Sequence, residues 1–187
     1  MLSPDISSWI DDEGNNRVYD HRQDFYLNPN DPFDKIKIYE NQVNGWFLDR
    51  ATRFLRGEKN GFIVLMICIS YLEGVEQYRQ GRSSHRNSRN FFIQAVERIY
   101  PGKFATPDLE RLYSEVRCGL FHNGMVNGDV IINKEFPNAL VFDGTNIKIN
   151  PRLLLEDIKN DFSSFTEELK TDNSVRIRFG QMFSVLP

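Results

Sequence analysis

Cysteine and histidine are scarce. Two cysteines, Cys68 and Cys118, and three histidines, at 21, 85 and 122, are spread over 187 residues. Neither set has disulfide or metal-ligand spacing, so no structural metal and no cofactor is expected, and the thiols fit a reducing compartment. Charge of one sign is not in excess either. A net charge of −3 and a pI near 5.7 exclude a uniformly basic nucleic-acid binder, while leaving room for a local basic patch. The opening Met1-Leu2-Ser3-Pro4-Asp5 lacks the charged and apolar parts of a signal peptide. The longest apolar run, Phe62–Ile69, is too short to span a bilayer. Internal repeats and low-complexity runs are missing as well. A cytoplasmic, soluble protein is the expectation.

What is present is enough for one sizeable core, since 40% of the residues are apolar. Residues 1–35 are polar, broken by Pro4, Pro29 and Pro32, and read as an irregular arm with one helical turn near Trp9, anchored by its aromatics. From Ile36 the period turns helical, with Tyr39, Val43, Trp46, Phe47, Ala51, Phe54 and Leu55 on one face and Gly57 as the stop. Phe62–Tyr78 predicts a central buried helix. Arg79–Arg89 is a loop with four arginines and no acid, followed by a helix that buries Phe91, Phe92, Ala95 and Val96. Thr106-Pro107-Asp108 predicts a helix start with Thr as cap. The period then falls to two: a strand at 130–132, and a hairpin around Asp143-Gly-Thr-Asn146. Asn150-Pro151 opens another helix, facing Leu154, Ile158, Phe162, Phe165 and Leu169 inward. Val175-Arg-Ile-Arg-Phe179 alternates and predicts an edge strand or an arm onto a partner. The expected architecture is mainly α: an arm (1–35), a helical domain (36–170, hairpin about 129–149) and a tail (171–187).

The informative stretch is Leu109–Met125. Leu109, Leu112, Tyr113, Val116 and Leu120 form one apolar stripe, and the same helix carries Arg117 and, five residues on, His122 beside a Gly-rich exit. Arg-Cys-Gly-Leu-Phe-His resembles the signature of the HEPN superfamily, in which an Arg and a His are four to six residues apart. The resemblance extends from about Ile36 to Lys170. It implies a bundle of four to five helices, here with a small β-hairpin insertion before the last helix. It also implies a metal-independent endoribonuclease that dimerises so that two motifs share a cleft. Arg117 and His122 then take the active-site roles, supported by Cys118, Asn123 and Glu73. The residue after the Arg is commonly polar in that superfamily, and here it is Cys118, a weak hydrogen-bonding partner.

The chemistry needs a base for the 2′-hydroxyl, an acid for the leaving oxygen and positive charge on the phosphorane. His122 can relay a proton and Arg117 can clamp phosphate oxygens. On an ideal helix a five-residue offset turns side chains about 140° apart. The pair therefore meets only if Gly119 or Gly124 bends the helix end, or if a second copy completes the site. The plainer reading pairs Arg117 with Glu73 or Glu115 and leaves His122 as a helix-end residue. Arg79, Arg82, Arg86 and Arg89 are candidates to track an RNA backbone, with a solvated loop as the alternative. Three functions stay open: a dimeric HEPN-type ribonuclease of toxin–antitoxin or phage-defence kind, with an antitoxin as protein partner; a catalytically silent HEPN module binding RNA, nucleotide or protein; and an enzyme using Cys118 as nucleophile with His122.

Overall fold

The computed structural model describes residues 5–57 and 59–185, and it is mainly helical. Of the expectations above, those on Met1–Pro4 lie outside the described residues. The chain forms two compact units. One takes the chain up to Arg50, Tyr78–Arg82 and the chain from Ser163; the other takes Ala51–Gln77 and Ser83–Phe162. This differs from the expected division at 36 and 170, because the helices Gly61–Gln80 and Pro151–Thr171 each give residues to both units.

The first unit begins with a correction. The arm is not irregular: β1 (Ile6–Ile10), β2 (Asn16–Asp20) and β3 (Phe25–Leu27) pair antiparallel in sequence order. Trp9 lies in β1, not in a helical turn. Ile6, Val18 and Leu27 share the inner face and are buried, while alternate residues face out. α1 (Pro32–Val43) starts four residues before the expected point, because Asp31 accepts the amides of Phe33 and Asp34 and proline is tolerated in a first turn. It continues through a π-wound segment, Asn44–Leu48. That extra residue per turn rotates the buried face, so Leu48 is buried and Phe47 is exposed, the reverse of the 3.6-residue expectation. The tail is also corrected. Asp172 accepts the amides of Ser174 and Val175, and α7 (Asn173–Met182) is a helix that buries Val175 and Phe179 one turn apart. Tyr39, Tyr78, Phe165, Phe179 and Phe183 form the aromatic core, with Tyr39 and Tyr78 centroids 4.9 Å apart and Phe179 stacked on Phe183 at 5.0 Å.

The second unit holds α2 (Asp49–Phe54) from Ala51 on, most of α3 (Gly61–Gln80), α4 (Ser88–Ile99), α5 (Thr106–Arg111) and the first half of α6 (Pro151–Thr171). Val64, Leu65, Cys68, Ile69 and Leu72 of α3 are buried, although Ile63 and Met66 are exposed. α3 has the length and apolarity of a membrane span, and 44% of that window is buried inside the protein. Two of its residues are acids held by arginines, which suits a core helix: Glu73 by Arg117, and Glu76 by Arg98, which also contacts Asp161. Tyr71 donates to Asp161 at 2.8 Å and Tyr100 to Asp157 at 2.6 Å. β4 (Val130–Ile132), β5 (Leu140–Asp143) and β6 (Asn146–Ile149) form a sheet of order β4-β6-β5, with β4 parallel and β5 antiparallel to β6. Asn150 Oδ1 then accepts the amides of Arg152 and Leu153 and starts α6.

Candidate functional site

The helix that carries Arg117 begins one residue earlier than expected. Ala105 is the cap, with no side-chain hydrogen bond, and Thr106 is already helical, followed by Pro107 and Asp108 in the first turn. After Arg111 the winding changes. Leu112–Asn123 is π-helical, and the Gly124 amide reaches back five residues to the carbonyl of Gly119. Such i→i+5 winding stacks residues five apart on one side of the helix. Arg117 and His122 therefore share a side without the bend that 3.6-residue winding demands. The stripe keeps its burial: Leu109, Leu112, Tyr113, Val116 and Leu120 are all buried.

The end of this helix is locked by its exit. Gly124 is left-handed, with φ 70°. The chain then turns back so closely that a Cβ on Gly119 would lie 2.6 Å from the Met125 carbonyl oxygen and 3.0 Å from the Asn127 nitrogen. The Asn127 amide donates to the Glu115 carbonyl at 2.8 Å, and Asn123 Nδ2 donates to Asn127 Oδ1 at 3.1 Å. Arg111 holds the other end, donating to Glu115 and to the carbonyls of Gly144 and Thr145 in the β5–β6 turn. Of the two candidate acids, Glu115 accepts from Arg111 through Oε1, and the one bonded to Arg117 is Glu73.

Arg117 donates from Nε and Nη2 to one oxygen of Glu73, at 3.0 and 2.7 Å. The other Glu73 oxygen accepts from Ser84 Oγ at 2.6 Å. The two charged side chains are 19% and 13% exposed, so the pair is largely withdrawn from water. The Arg117 guanidinium also lies over two rings of its own helix, 4.9 Å from Phe121 and 5.6 Å from Tyr113. Tyr113 in turn shares a hydrogen bond with Ser88 Oγ at 2.6 Å and carries the Arg89 guanidinium 5.8 Å from its centroid. Arg117 Nη1 has no partner among the described residues.

His122 is exposed, and no described residue hydrogen-bonds to it. It makes no contact with Arg117 among the described interactions. Cys118 is a free, half-buried thiol and Asn123 is exposed. Of the four loop arginines, Arg79 is corrected. It belongs to α3, is 12% exposed, pairs with Glu168 at 2.8 Å and lies 4.3 Å over Phe165, so it is a packing residue of the first unit. Arg82, Arg86 and Arg89 are exposed. Arg82 donates to Gln80 Oε1, and Arg86 sits at φ 60°.

Sequence reasoning left Glu73 and Glu115 as alternative acids for Arg117, of which the structure has Glu73, and it missed Ser84, Tyr113 and Phe121. Tyr113 belongs to the apolar stripe, and its ring is buried there. Its hydroxyl partner is 25 residues away and carries no local signal. Phe121 sits four residues after Arg117, the spacing that lets a ring meet a guanidinium on a helix, and that signal was readable. Among the described residues no group of three or more His, Cys, Asp or Glu is placed to hold a metal ion. Fold and site together define a mainly helical protein in which a half-buried arginine is clamped by a carboxylate, with an exposed histidine five residues further along the same helix. The chain matches no protein-family model, no curated protein and no solved structure.

Proposed function

We propose that the chain is a metal-independent endoribonuclease of HEPN type, cleaving single-stranded RNA in a site shared by two copies. The observation that carries this reading is the π winding of Leu112–Asn123, which puts Arg117 and His122 on one side of the helix. His122 is open to solvent, as a group that meets a substrate needs to be. Arg117 keeps Nη1 for a phosphate oxygen while Glu73 and the two flanking rings fix its plane. In the reaction the 2′-hydroxyl attacks the adjacent phosphorus and gives its proton to one His122. The P–O5′ bond breaks, and the 5′-oxygen takes a proton from the imidazolium of the second copy's His122. The motif brings one imidazole per copy, so a concerted transfer between two imidazoles of the motif takes two copies. Phe121 and Met125, exposed at the exit of the helix, supply apolar surface for that second copy. Arg82, Arg86 and Arg89 are the cations assigned to the RNA backbone. This reading places the protein in the cytoplasm, with toxin–antitoxin or phage-defence biology and an antitoxin as a protein partner.

A second reading is favoured by one contact. Glu73 compensates the charge of Arg117, which suits a catalytically silent HEPN module that binds RNA, nucleotide or protein. Alanine variants separate the two. His122→Ala removes the proton relay and is expected to slow cleavage about a hundredfold to ten-thousandfold. Arg117→Ala removes charge stabilisation and is expected to cost about a hundredfold to a thousandfold. Rates of both variants equal to wild type would leave the silent module as the function. Cys118→Ser, which preserves cleavage under the proposal, abolishes it if the thiol is the nucleophile.

A further inference from the structure

The sheet of the first unit has an outer face that no part of the cleavage reading uses. Its register puts Trp9 opposite Arg17 and Tyr19 opposite Tyr26, so these four side chains share the face turned away from Ile6, Val18 and Leu27. The three rings cluster: Tyr26 is 5.0 Å from Tyr19, edge to face, and 6.1 Å from Trp9, tilted. Tyr26 is nevertheless 64% exposed and Trp9 39%. An aromatic ring left in water beside others, on a folded and hydrogen-bonded sheet, is a stacking surface already held in place.

Beside Tyr26, between the β1–β2 turn and the segment after β3, lies a cleft of about 700 Å³, within the size range of ligand sites. Its lining is amide-rich, with Asn15, Asn16, Asn28 and Asn30 around Tyr26, and its charged side chain is Arg17, which is paired with Asp11. Asn16 Nδ2 is spent on the Val185 carbonyl, and Asn28 Oδ1 accepts the Asn30 amide. The Asn28 Nδ2, the side-chain amide of Asn30 (its backbone amide being the donor to Asn28) and the Tyr26 hydroxyl have no partner among the described residues. The ligand therefore has many donors and acceptors of its own.

Charge selects among such ligands. Residues 5–31 hold seven carboxylates against two arginines, Arg17 and Arg22. Both arginines are already paired, with Asp11 at 2.7 Å and Asp5 at 2.8 Å. A polyanion meets repulsion here and finds no uncompensated cation. No carboxylate lines the cleft itself, so a cation finds no ion pair inside it. We propose that this cleft and the Tyr26 ring bind a neutral saccharide, its C–H face stacked on Tyr26 and its hydroxyls bonded to the free asparagine amides. This site is independent of the cleavage reading.

The test is an NMR titration of the full chain, labelled with ¹⁵N, with maltohexaose, cellohexaose and chitohexaose in turn. At least one sugar is expected to shift amides of residues 14–17 and 26–30. Tyr26→Ala and Asn30→Ala are each expected to weaken that binding about tenfold or more, while Tyr26→Phe, which keeps the ring, retains it, and Arg117→Ala leaves it unchanged. The proposal is overturned if none of the three sugars shifts those amides, or if binding is indifferent to both alanine variants. It is equally overturned if oligouridylate or tetramethylammonium shifts the same amides at lower concentration than any of the sugars.

Discussion

Arg117 can act on a phosphate only if it is held, and Glu73 is what holds it. The carboxylate takes two guanidinium hydrogens on one oxygen and the Ser84 hydroxyl on the other. Hydrogen bonds to charged groups contribute about 1.5–3 kcal/mol each when the groups are withdrawn from water. Glu73→Gln keeps the shape and removes the charge, so it is expected to lower unfolding free energy by about 2 kcal/mol in urea denaturation. A change below about 0.5 kcal/mol would put the pair with exposed ion pairs of negligible weight. This contact was legible in the sequence as one of two alternatives, because Glu73 follows the apolar run of α3 directly while Glu115 lies two residues before Arg117. The hydroxyl of Ser84 and the role of Tyr113 were not, since both depend on contacts made through the fold rather than along one helix.

At the scale of elements, what sequence patterns conveyed was the period, and they assumed that every helix winds at 3.6 residues per turn. Where the winding is regular, as in α4 and α6, the inward residues are those expected, including Phe92, Val96, Ile158 and Phe165. The two π-wound segments escaped because nothing in Asn44–Leu48 or Leu112–Asn123 announces an i→i+5 ladder. The meander was hidden by the opposite problem: its inner face contributes one buried apolar side chain per strand at Ile6, Val18 and Leu27, too sparse for alternation to stand out. In α7 the alternation of Val175, Ile177 and Phe179 misled, because Val175 and Phe179 also satisfy helical spacing and the Asp172 cap decides the matter. The exit of the π-wound helix yields a graded prediction. Gly119→Ala drives a methyl into the backbone of Met125 and Asn127 and is expected to cost about 1–3 kcal/mol. Gly124→Ala meets no atom within 4 Å and carries only the left-handed backbone penalty of about 1–2 kcal/mol. Urea denaturation of the two variants is expected to show Gly119→Ala as the weaker; the reverse order would mean that the return loop yields freely.

For the whole molecule, the proposed chemistry sets a requirement on assembly. Each chain brings one exposed imidazole at position 122, and transfer of two protons in one step takes two. Sedimentation velocity at micromolar concentration is expected to report a dimer, weakened when Phe121 and Met125 are both changed to Ser. A species that stays monomeric across that range contradicts the shared site. The central claim concerns the bond broken, and it is tested most directly by the ends of the products. Purified wild-type protein is incubated with single-stranded RNA and with DNA of the same sequence, in excess chelator, and the fragments are read by mass spectrometry. The account predicts RNA fragments ending in 2′,3′-cyclic phosphate with 5′-hydroxyl partners, and intact DNA. Intact RNA, or fragments ending in 3′-hydroxyl and 5′-phosphate, would contradict it.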